Sequence, residues 1–142
     1  MAAAAKAADG LSARSSAALA WNRSPDLPFD RSINPYRGCE HGCVYCFARP
    51  SHAFLNLSPG LDFETRLIAR PGIAGVLVGE LRAKSYKVAT VALGTNTDPY
   101  QPLEREHRLM RQVLEVLAAF GKAFNTNLYV TIARLVLPAV GV

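Results

Sequence analysis

Three cysteines within eight residues constrain this chain more than any other feature. Cys39, Cys43 and Cys46 are its only cysteines, separated by three residues and then by two. A disulfide framework normally uses an even number of cysteines spread along the chain, so this cluster predicts metal or redox chemistry in a reducing compartment. Three thiolates can close around a soft metal centre. A closed zinc site or a fully ligated iron–sulfur cluster needs four ligands, so one coordination position is left over.

The composition fits one domain, or part of a larger one. Half of the 142 residues are hydrophobic and 19% are charged, which allows a buried core. The net charge is +5, but the basic residues are scattered singly, so no nucleic-acid arm is predicted. Because no run of 18 apolar residues occurs, we expect no transmembrane helix and no membrane partner.

Residues 1–24 are predicted to form a disordered tail rich in Ala and Ser. Lys6 and Arg14 are basic, and Asp9 is the only acid among the first twenty residues. This composition also fits an organellar transit peptide. The expected location is therefore the cytoplasm, or an organelle if the tail is a transit peptide.

The order of predicted elements indicates an α/β fold with a parallel sheet. We predict a short strand around Ile33, a second within residues 61–69 and a buried strand over residues 88–93. Apolar spacing and a leading proline predict amphipathic helices over residues 71–84 and 102–121. After residue 121 no third strand of the sheet is recognisable, so residues 123–142 are expected to be a divergent tail.

Two loops follow predicted strands, so they are expected to form one site. The cysteine loop follows the strand at Ile33, and a polar loop over residues 94–102 follows the strand at residues 88–93. Ligands of parallel α/β sheets bind at the carboxyl ends of the strands. We therefore expect both loops on the same rim of the sheet.

The residues alone leave three interpretations of the cysteine loop open. The three thiolates bind a 4Fe–4S cluster with one iron open to an exogenous ligand, or they bind zinc with His41 or His52, or they bind no metal. His41 stands only two residues from Cys39 and from Cys43. That is a cramped position for a ligand of the same tetrahedron.

The cysteine motif resembles the signature of radical S-adenosylmethionine (radical SAM) enzymes. Tyr45 precedes the last cysteine in the pattern Cys-x-x-x-Cys-x-aromatic-Cys. Residues 31–50 resemble the branch related to spore photoproduct lyase, which is also described as DNA-repair-photolyase-like. Residues 58–65 and 94–104 fit the same branch, so the resemblance runs from about residue 24 to residue 121.

The resemblance implies a fold, two cofactors and a reaction. The fold would be the N-terminal part of a radical SAM partial (β/α) barrel, with residues 25–122 as a partial core. A 4Fe–4S cluster would bind Cys39, Cys43 and Cys46, and S-adenosyl-L-methionine would chelate the open iron. One electron, supplied by an electron donor, would cleave the sulfonium and yield a 5′-deoxyadenosyl radical that abstracts hydrogen from a substrate.

The resemblance also implies cofactor-binding residues. Tyr45 would lie near the adenine, with ordinary packing beside the loop as its alternative. The polar loop occupies the place where the family contacts the methionyl amino group, although it lacks the common Gly-Gly-Glu form. Its candidate ligands are Thr95, Asn96, Thr97, Asp98 and Glu104. Asp98 could instead shape a turn before Pro99, and Glu104 could be a first-turn helix charge. No catalytic residue is assigned.

The family's barrels are longer than this chain, which leaves three predicted functions. The chain is a radical SAM enzyme or a fragment of one, a cluster- or zinc-binding module without catalysis, or an inactive truncated product. Its substrate is not readable from the sequence. The branch suggests a nucleic acid by analogy alone, and the chain has no further cysteine that could donate hydrogen.

Overall fold

The computed structural model describes residues 16–123 and 130–132 of the chain. In chain order its elements are β1 (Ala20–Trp21), β2 (Arg31–Ile33), β3 (Tyr36–Arg37), a 3₁₀ helix (Arg49–Leu55), α1 (Leu61–Thr65), β4 (Ile68–Ala69), α2 (Ile73–Arg82), β5 (Val91–Leu93), α3 (Glu104–His107), α4 (Leu109–Ala123) and β6 (Val130–Ile132). The fold is thus mixed α/β, and the ranges 1–15, 124–129 and 133–142 lie outside the described residues.

The main sheet has four strands in the order β1-β2-β5-β6. β5 lies in the middle of its parallel part, with Val91 opposite Arg31 of β2 and opposite Val130 of β6. β1 runs antiparallel to β2. A separate two-stranded antiparallel sheet pairs β3 with β4. The predicted parallel sheet is therefore present in β2, β5 and β6, and β1 makes the whole sheet mixed.

Two strands lie where no sheet was predicted. β1 belongs to the range 1–24 that was predicted to be disordered, so that prediction was wrong for residues 20–21, while residues 1–15 lie outside the description. β6 is the third parallel strand that was judged unrecognisable after residue 121. Its sequence, Val-Thr-Ile, has high β propensity, but three residues carry too little periodic signal to identify a strand without its partner β5.

The core lies between the main sheet and the helices α2 and α4. Ile73, Leu77 and Leu81 of α2 are buried at a spacing of four residues, which places them on one helix face. They join one cluster with residues of β2, β5 and α4, namely Ile33, Val91, Leu93, Met110, Val113 and Leu117. Fully burying one such side chain stabilises the fold by about 1.5–3 kcal/mol, so this cluster holds the sheet and both helices together.

Both predicted helices begin later than expected. Pro71 lies outside α2, because Gly72 takes a left-handed backbone (φ 82°) and caps the helix that starts at Ile73. The helix predicted from residue 102 is divided by Arg108, whose φ is 51°, into α3 and α4. The carboxylate of Glu104 provides a reason, because it caps the start of α4 by accepting hydrogen bonds from backbone N–H groups there.

The strand predictions hold in part. Residues 61–69 contain α1 as well as the short strand β4, and the strand predicted over 88–93 is reduced to β5. All three residues of β5 are buried, as expected for a strand covered on both faces. Over the ranges that the structure covers, none of the helices is long and apolar enough to cross a membrane.

Candidate functional site

The carboxyl ends of β2 and β5 are joined by the buried side chain of Asn34. Its Nδ2 donates to Oγ1 of Thr95 at 3.0 Å, and its Oδ1 accepts from the backbone N–H of Asn96 at 2.9 Å. The N–H of Gly94 also donates to the carbonyl of Ile33 at 3.1 Å. These bonds confirm that the loops following the two strands lie on the same rim.

Thr97 ties the polar loop to the cysteine loop. Its hydroxyl donates to the carbonyl of Gly38 at 2.6 Å, and the side chain is only 4% exposed. Gln101, which is fully buried, donates to the same carbonyl at 3.1 Å. Thr97 therefore supports the backbone next to Cys39, and its hydroxyl proton is already in use.

Asp98 connects the same two loops through a contact with His41 and also shapes a turn. Its Oδ2 lies 3.1 Å from Nε2 of His41 in the cysteine loop. Its Oδ1 accepts from the N–H of Tyr100 at 2.8 Å. The turn predicted as the alternative role of Asp98 is thus present, and its partly exposed carboxylate still faces the cysteine loop.

The three cysteines are free thiols in different environments. Cys39 is buried, Cys46 is partly exposed and Cys43 is exposed. The N–H of Cys39 donates to the carbonyl of Phe63 at 2.9 Å, and the N–H of Cys46 donates to the carbonyl of Cys43 at 3.3 Å. Burial raises the pKa of the Cys39 thiol, so without a metal this thiol is held in its protonated form at neutral pH.

Arg49 holds the far end of the cysteine loop. Its Nε and Nη2 donate to the carbonyl of Cys43 at 3.0 and 2.9 Å, and its Nη1 donates to the carbonyl of Gly60 at 3.2 Å. The guanidinium also forms an ion pair with Glu64 and lies over the ring of Phe63. The cysteine loop is therefore fixed at Gly38 by the polar loop and at Cys43 by Arg49.

The imidazole of His52 is buried beside the cysteine loop. Its Nε2 lies 3.1 Å from the carbonyl oxygen of Arg66, which can only accept, so Nε2 carries the proton. Nδ1 has no hydrogen-bond partner among the described residues. The ring meets Phe63 edge to face. A Cβ on Gly38 would come within 3.0 Å of Cε1 of this ring.

This donor set fits a soft metal centre. Three unpaired thiols occur in one loop at the ligand-binding rim of a parallel sheet. Gly38 and Gly42 have φ values of 79° and 65°, which only glycine adopts without strain and which let the loop curl. In the described ranges no three His, Cys, Asp or Glu side chains are yet grouped closely enough to bind a metal. Binding would therefore require the thiols to draw together.

Two predicted cofactor residues have environments that the sequence did not reveal. Tyr45 is 99% exposed, so the alternative of ordinary packing beside the loop was wrong. Glu104 accepts from the phenol of Tyr36, from the N–H of Met110 at 3.0 Å and from the N–H of Arg111 at 2.9 Å. Its carboxylate thus caps the start of the following helix α4. This role is closer to the predicted alternative, a charge at the start of a helix, than to that of a cofactor ligand.

Sequence reasoning missed three residues that position the site, Asn34, Arg49 and Gln101. Asn34 directly follows β2, and polar residues at that place often serve a site in parallel sheets, so this signal was available. Arg49 and Gln101 are typical surface residue types. Nothing in their spacing distinguishes them from solvated side chains.

The fold and the site together define a mixed α/β protein with a cysteine loop at the carboxyl ends of its parallel strands. The chain is 45% identical over 124 residues to Uncharacterized protein Rv2578c of Mycobacterium tuberculosis and to Uncharacterized protein Mb2609c of Mycobacterium bovis. Each match covers 85% of this chain and 36% of the relative, so the chain spans about a third of these proteins. No family model matches the chain, and no solved structure matches it.

Proposed function

We propose that this chain is part of a radical SAM enzyme, in which Cys39, Cys43 and Cys46 hold a 4Fe–4S cluster and the adjoining rim binds S-adenosyl-L-methionine. The supporting observation is that the loop with all three cysteines is hydrogen-bonded to the polar loop after β5. When bound, the two cofactors supply reductive cleavage of a sulfonium and hydrogen abstraction from a substrate.

The winding of the sheet supports the proposal of a partial (β/α) barrel. β2, β5 and β6 lie side by side in the sheet in the same order as they occur along the chain, and α2 and α4 share one core with β2 and β5. In doubly wound sheets the strand order reverses and helices cover both faces. A barrel instead adds strands in one direction with its helices outside, as in this part of the chain.

The contacts narrow the proposed cofactor ligands. Asn96 is exposed at the rim, and Asp98 adds a carboxylate. Thr95 is partly exposed, and its hydroxyl already accepts from Asn34. Such acceptors suit an ammonium group. Tyr45 is free to stack on an adenine. We assign Thr97 to support of the cysteine loop, because its hydroxyl is bonded to Gly38.

Anaerobic reconstitution with iron and sulfide, followed by electron paramagnetic resonance of the reduced protein, tests this function. We expect a 4Fe–4S signal that changes when S-adenosyl-L-methionine is added. Cys43→Ala is the matched control, because this exposed cysteine can be lost without disturbing the core, and it should abolish the signal. A cluster signal that does not change when S-adenosyl-L-methionine is added would support the alternative of a cluster-binding module without catalysis. Absence of a cluster in folded protein would contradict the enzyme and the cluster-binding module, and it would leave zinc binding or the inactive product.

Zinc is the second candidate, and the unpartnered Nδ1 of His52 favours it. An imidazole whose other nitrogen donates to a backbone carbonyl has the arrangement typical of a metal-binding histidine. His41 is less suited, since its Nε2 already faces Asp98. Metal analysis of the protein purified without oxygen separates the candidates. Zinc at one equivalent, lost in His52→Ala, would replace the iron–sulfur proposal.

The proposed partners follow from the chemistry. A cluster that reacts after reduction needs an electron donor, and the substrate remains a hydrogen donor of unidentified class, with nucleic acid suggested by the branch alone. The chain covers 36% of its mycobacterial relatives, so we propose the activity for the whole protein. We propose the cytoplasm as its location, or an organelle if residues 1–24 act as a transit peptide.

A further inference from the structure

The side chain of Gln101 contacts the backbone on both sides of Cys39. Its Nε2 donates to the carbonyl of Gly38 at 3.1 Å, and its Oε1 accepts from the N–H of Glu40 at 3.3 Å. These two groups belong to the residues directly before and after the cysteine. Gln101 is fully buried, so water does not compete for these bonds and their loss would leave buried polar groups unsatisfied.

We infer that Gln101 is a positioning residue that fixes the thiol of Cys39 before any metal binds. A primary amide is suited to this task, because it carries a donor (Nε2) and an acceptor (Oε1) on the same planar group. Glutamate would offer only acceptors at neutral pH, and methionine would offer neither. The inference rests on the proposed function only for the statement that Cys39 binds a metal; the positioning of its thiol follows from the hydrogen bonds alone.

Further bonds make the amide's orientation definite. Nε2 of Gln101 also donates to Oγ1 of Thr97 at 2.9 Å, and Thr97 in turn donates to the Gly38 carbonyl. Glu40 completes the return contact, since its Oε1 accepts from the N–H of Leu103 at 2.9 Å. Gly38 and Glu40, on either side of Cys39, are therefore both bonded to residues in or directly after the polar loop. Rotation of the Gln101 amide would break several of these bonds at once.

On its other side the backbone of Cys39 is held by Phe63. The Cys39 N–H donates to the carbonyl of Phe63, and a Cβ at Gly38 would lie 2.8 Å from that same oxygen. Cys39 is thus held between Phe63 and Gln101, while Cys43 is exposed to solvent. The consequence is that Cys39 is the ligand whose backbone is held on both sides, whereas the exposed side chain of Cys43 is free to rotate although Arg49 holds its carbonyl.

Alkylation of the metal-free protein tests this inference without requiring a cluster. Reaction with iodoacetamide, followed residue by residue by mass spectrometry, gives a rate for each cysteine. We expect Gln101→Met to speed the modification of Cys39 about tenfold, with Cys43 changed less than about twofold. The matched control is Gln112→Met on α4, whose amide makes only a 3.4 Å contact with the carbonyl of His107 and should leave all three rates unchanged.

Two further variants separate positioning from general stability. Thr97→Val removes one of the two donors to Gly38 and should give a smaller, still selective, increase at Cys39. Gln101→Glu keeps an acceptor for Glu40 but turns a carboxylate oxygen toward the Gly38 carbonyl, and should give an increase at least as large as Gln101→Met. If Gln101→Met does not fold, these two variants decide the question.

Three outcomes would overturn the inference. They are an unchanged Cys39 rate in the Gln101 variants, equal acceleration of all three cysteines, and the same change in Gln112→Met. Equal acceleration would mean that Gln101 stabilises the fold in general. In protein that does bind a cluster, the Gln101 variants should also broaden its paramagnetic signal. Failure of the wild type to bind a cluster would count against the proposed function and leave the alkylation result standing.

Discussion

The phenol of Tyr36 donates a hydrogen bond to the carboxylate of Glu104, 68 residues further along the chain. The same phenolic oxygen accepts from the N–H of Leu109 at 3.3 Å, and the carboxylate accepts from the N–H groups at the start of α4. This pair therefore fastens the segment that leads into the cysteine loop to the helix behind the polar loop. This contact fixes the spacing of the two loops at the rim.

Tyr36→Phe should lower the free energy of unfolding by about 1–3 kcal/mol at pH 7, because it removes one donor from the Glu104 carboxylate and the acceptor of the buried Leu109 N–H. Burial, together with the bond to Glu104, raises the pKa of Tyr36 above its usual value. An unfolded tyrosine ionises near pH 10, so above about pH 10 the unfolded chain loses this proton first and stability falls as pH rises.

Urea unfolding between pH 7 and pH 11 measures both effects. We expect Tyr36→Phe to be less stable than wild type at pH 7 and to show a shallower decline above about pH 10. Tyr100→Phe, at an exposed tyrosine, is the control and should follow the wild-type curve. An equal alkaline decline in Tyr36→Phe and wild type would contradict this assignment.

Gly38→Ala should destabilise the protein and, if the proposed cluster binds at this loop, reduce its loading. Its φ of 79° is strained for alanine, and the new Cβ would lie 2.8 Å from the Phe63 carbonyl oxygen. Gly79→Ala in α2 is the matched control, because nothing lies within 4 Å of its Cβ, and it should stabilise the helix by about 0.5–1 kcal/mol. Thermal unfolding compares the two, and a Gly38→Ala protein as stable as wild type would show that the described loop geometry is wrong.

Asn34→Ala should release the polar loop from the end of β2. It removes the bonds to Thr95 and Asn96, which we expect to cost about 1–3 kcal/mol. Hydrogen exchange of the amides at residues 94–98 should accelerate. Asn22→Ala removes an asparagine that bonds to its own loop and should leave exchange at residues 94–98 unchanged. Identical exchange in both variants would count against Asn34 as the connection.

Arg49→Lys should loosen the cysteine loop at Cys43 although it keeps the charge. Lysine cannot reproduce the planar fork that binds the Cys43 and Gly60 carbonyls at the same time. We expect faster proteolysis within the cysteine loop and, if the proposed cluster is bound, its faster loss during dialysis against a chelator. Arg111→Lys, in an exposed pair with Glu115, should change neither measurement, and an effect of equal size there would exclude a specific role for Arg49.

Tyr45→Ala should separate cofactor binding from folding. Because this side chain is 99% exposed, its loss should change the free energy of unfolding by less than about 0.5 kcal/mol. If the ring stacks on the adenine as proposed, the change that S-adenosyl-L-methionine causes in the cluster signal should weaken. Tyr45→Phe keeps the ring and should restore it. A full response in Tyr45→Ala would remove Tyr45 from the proposed cofactor site.

The sequence by itself determined the elements that carry a local signal. Periodic apolar residues identified α2 and the start of the core face of α4, and a β-branched apolar run identified β5. Strand order along the chain also predicted that the two loops share a rim, and the bond network of Asn34, Thr97 and Asp98 confirms it. These features depend on neighbouring residues or on the general geometry of parallel sheets, so they can be read without the tertiary structure.

Only the tertiary structure decided the roles of individual polar side chains. Glu104 and Thr97 were candidates for a cofactor, but distant partners, Tyr36 and Gly38, engage them within the protein. In the sequence Gln101 cannot be distinguished from a surface glutamine; only the folded structure shows that it is buried between the two loops. The division of one predicted helix at Arg108 and the pairing of β6 with β5 also depend on contacts between remote segments. A hydrogen bond between residues some sixty positions apart leaves no local pattern in the sequence, because it exists only after the sheet has brought its two ends together.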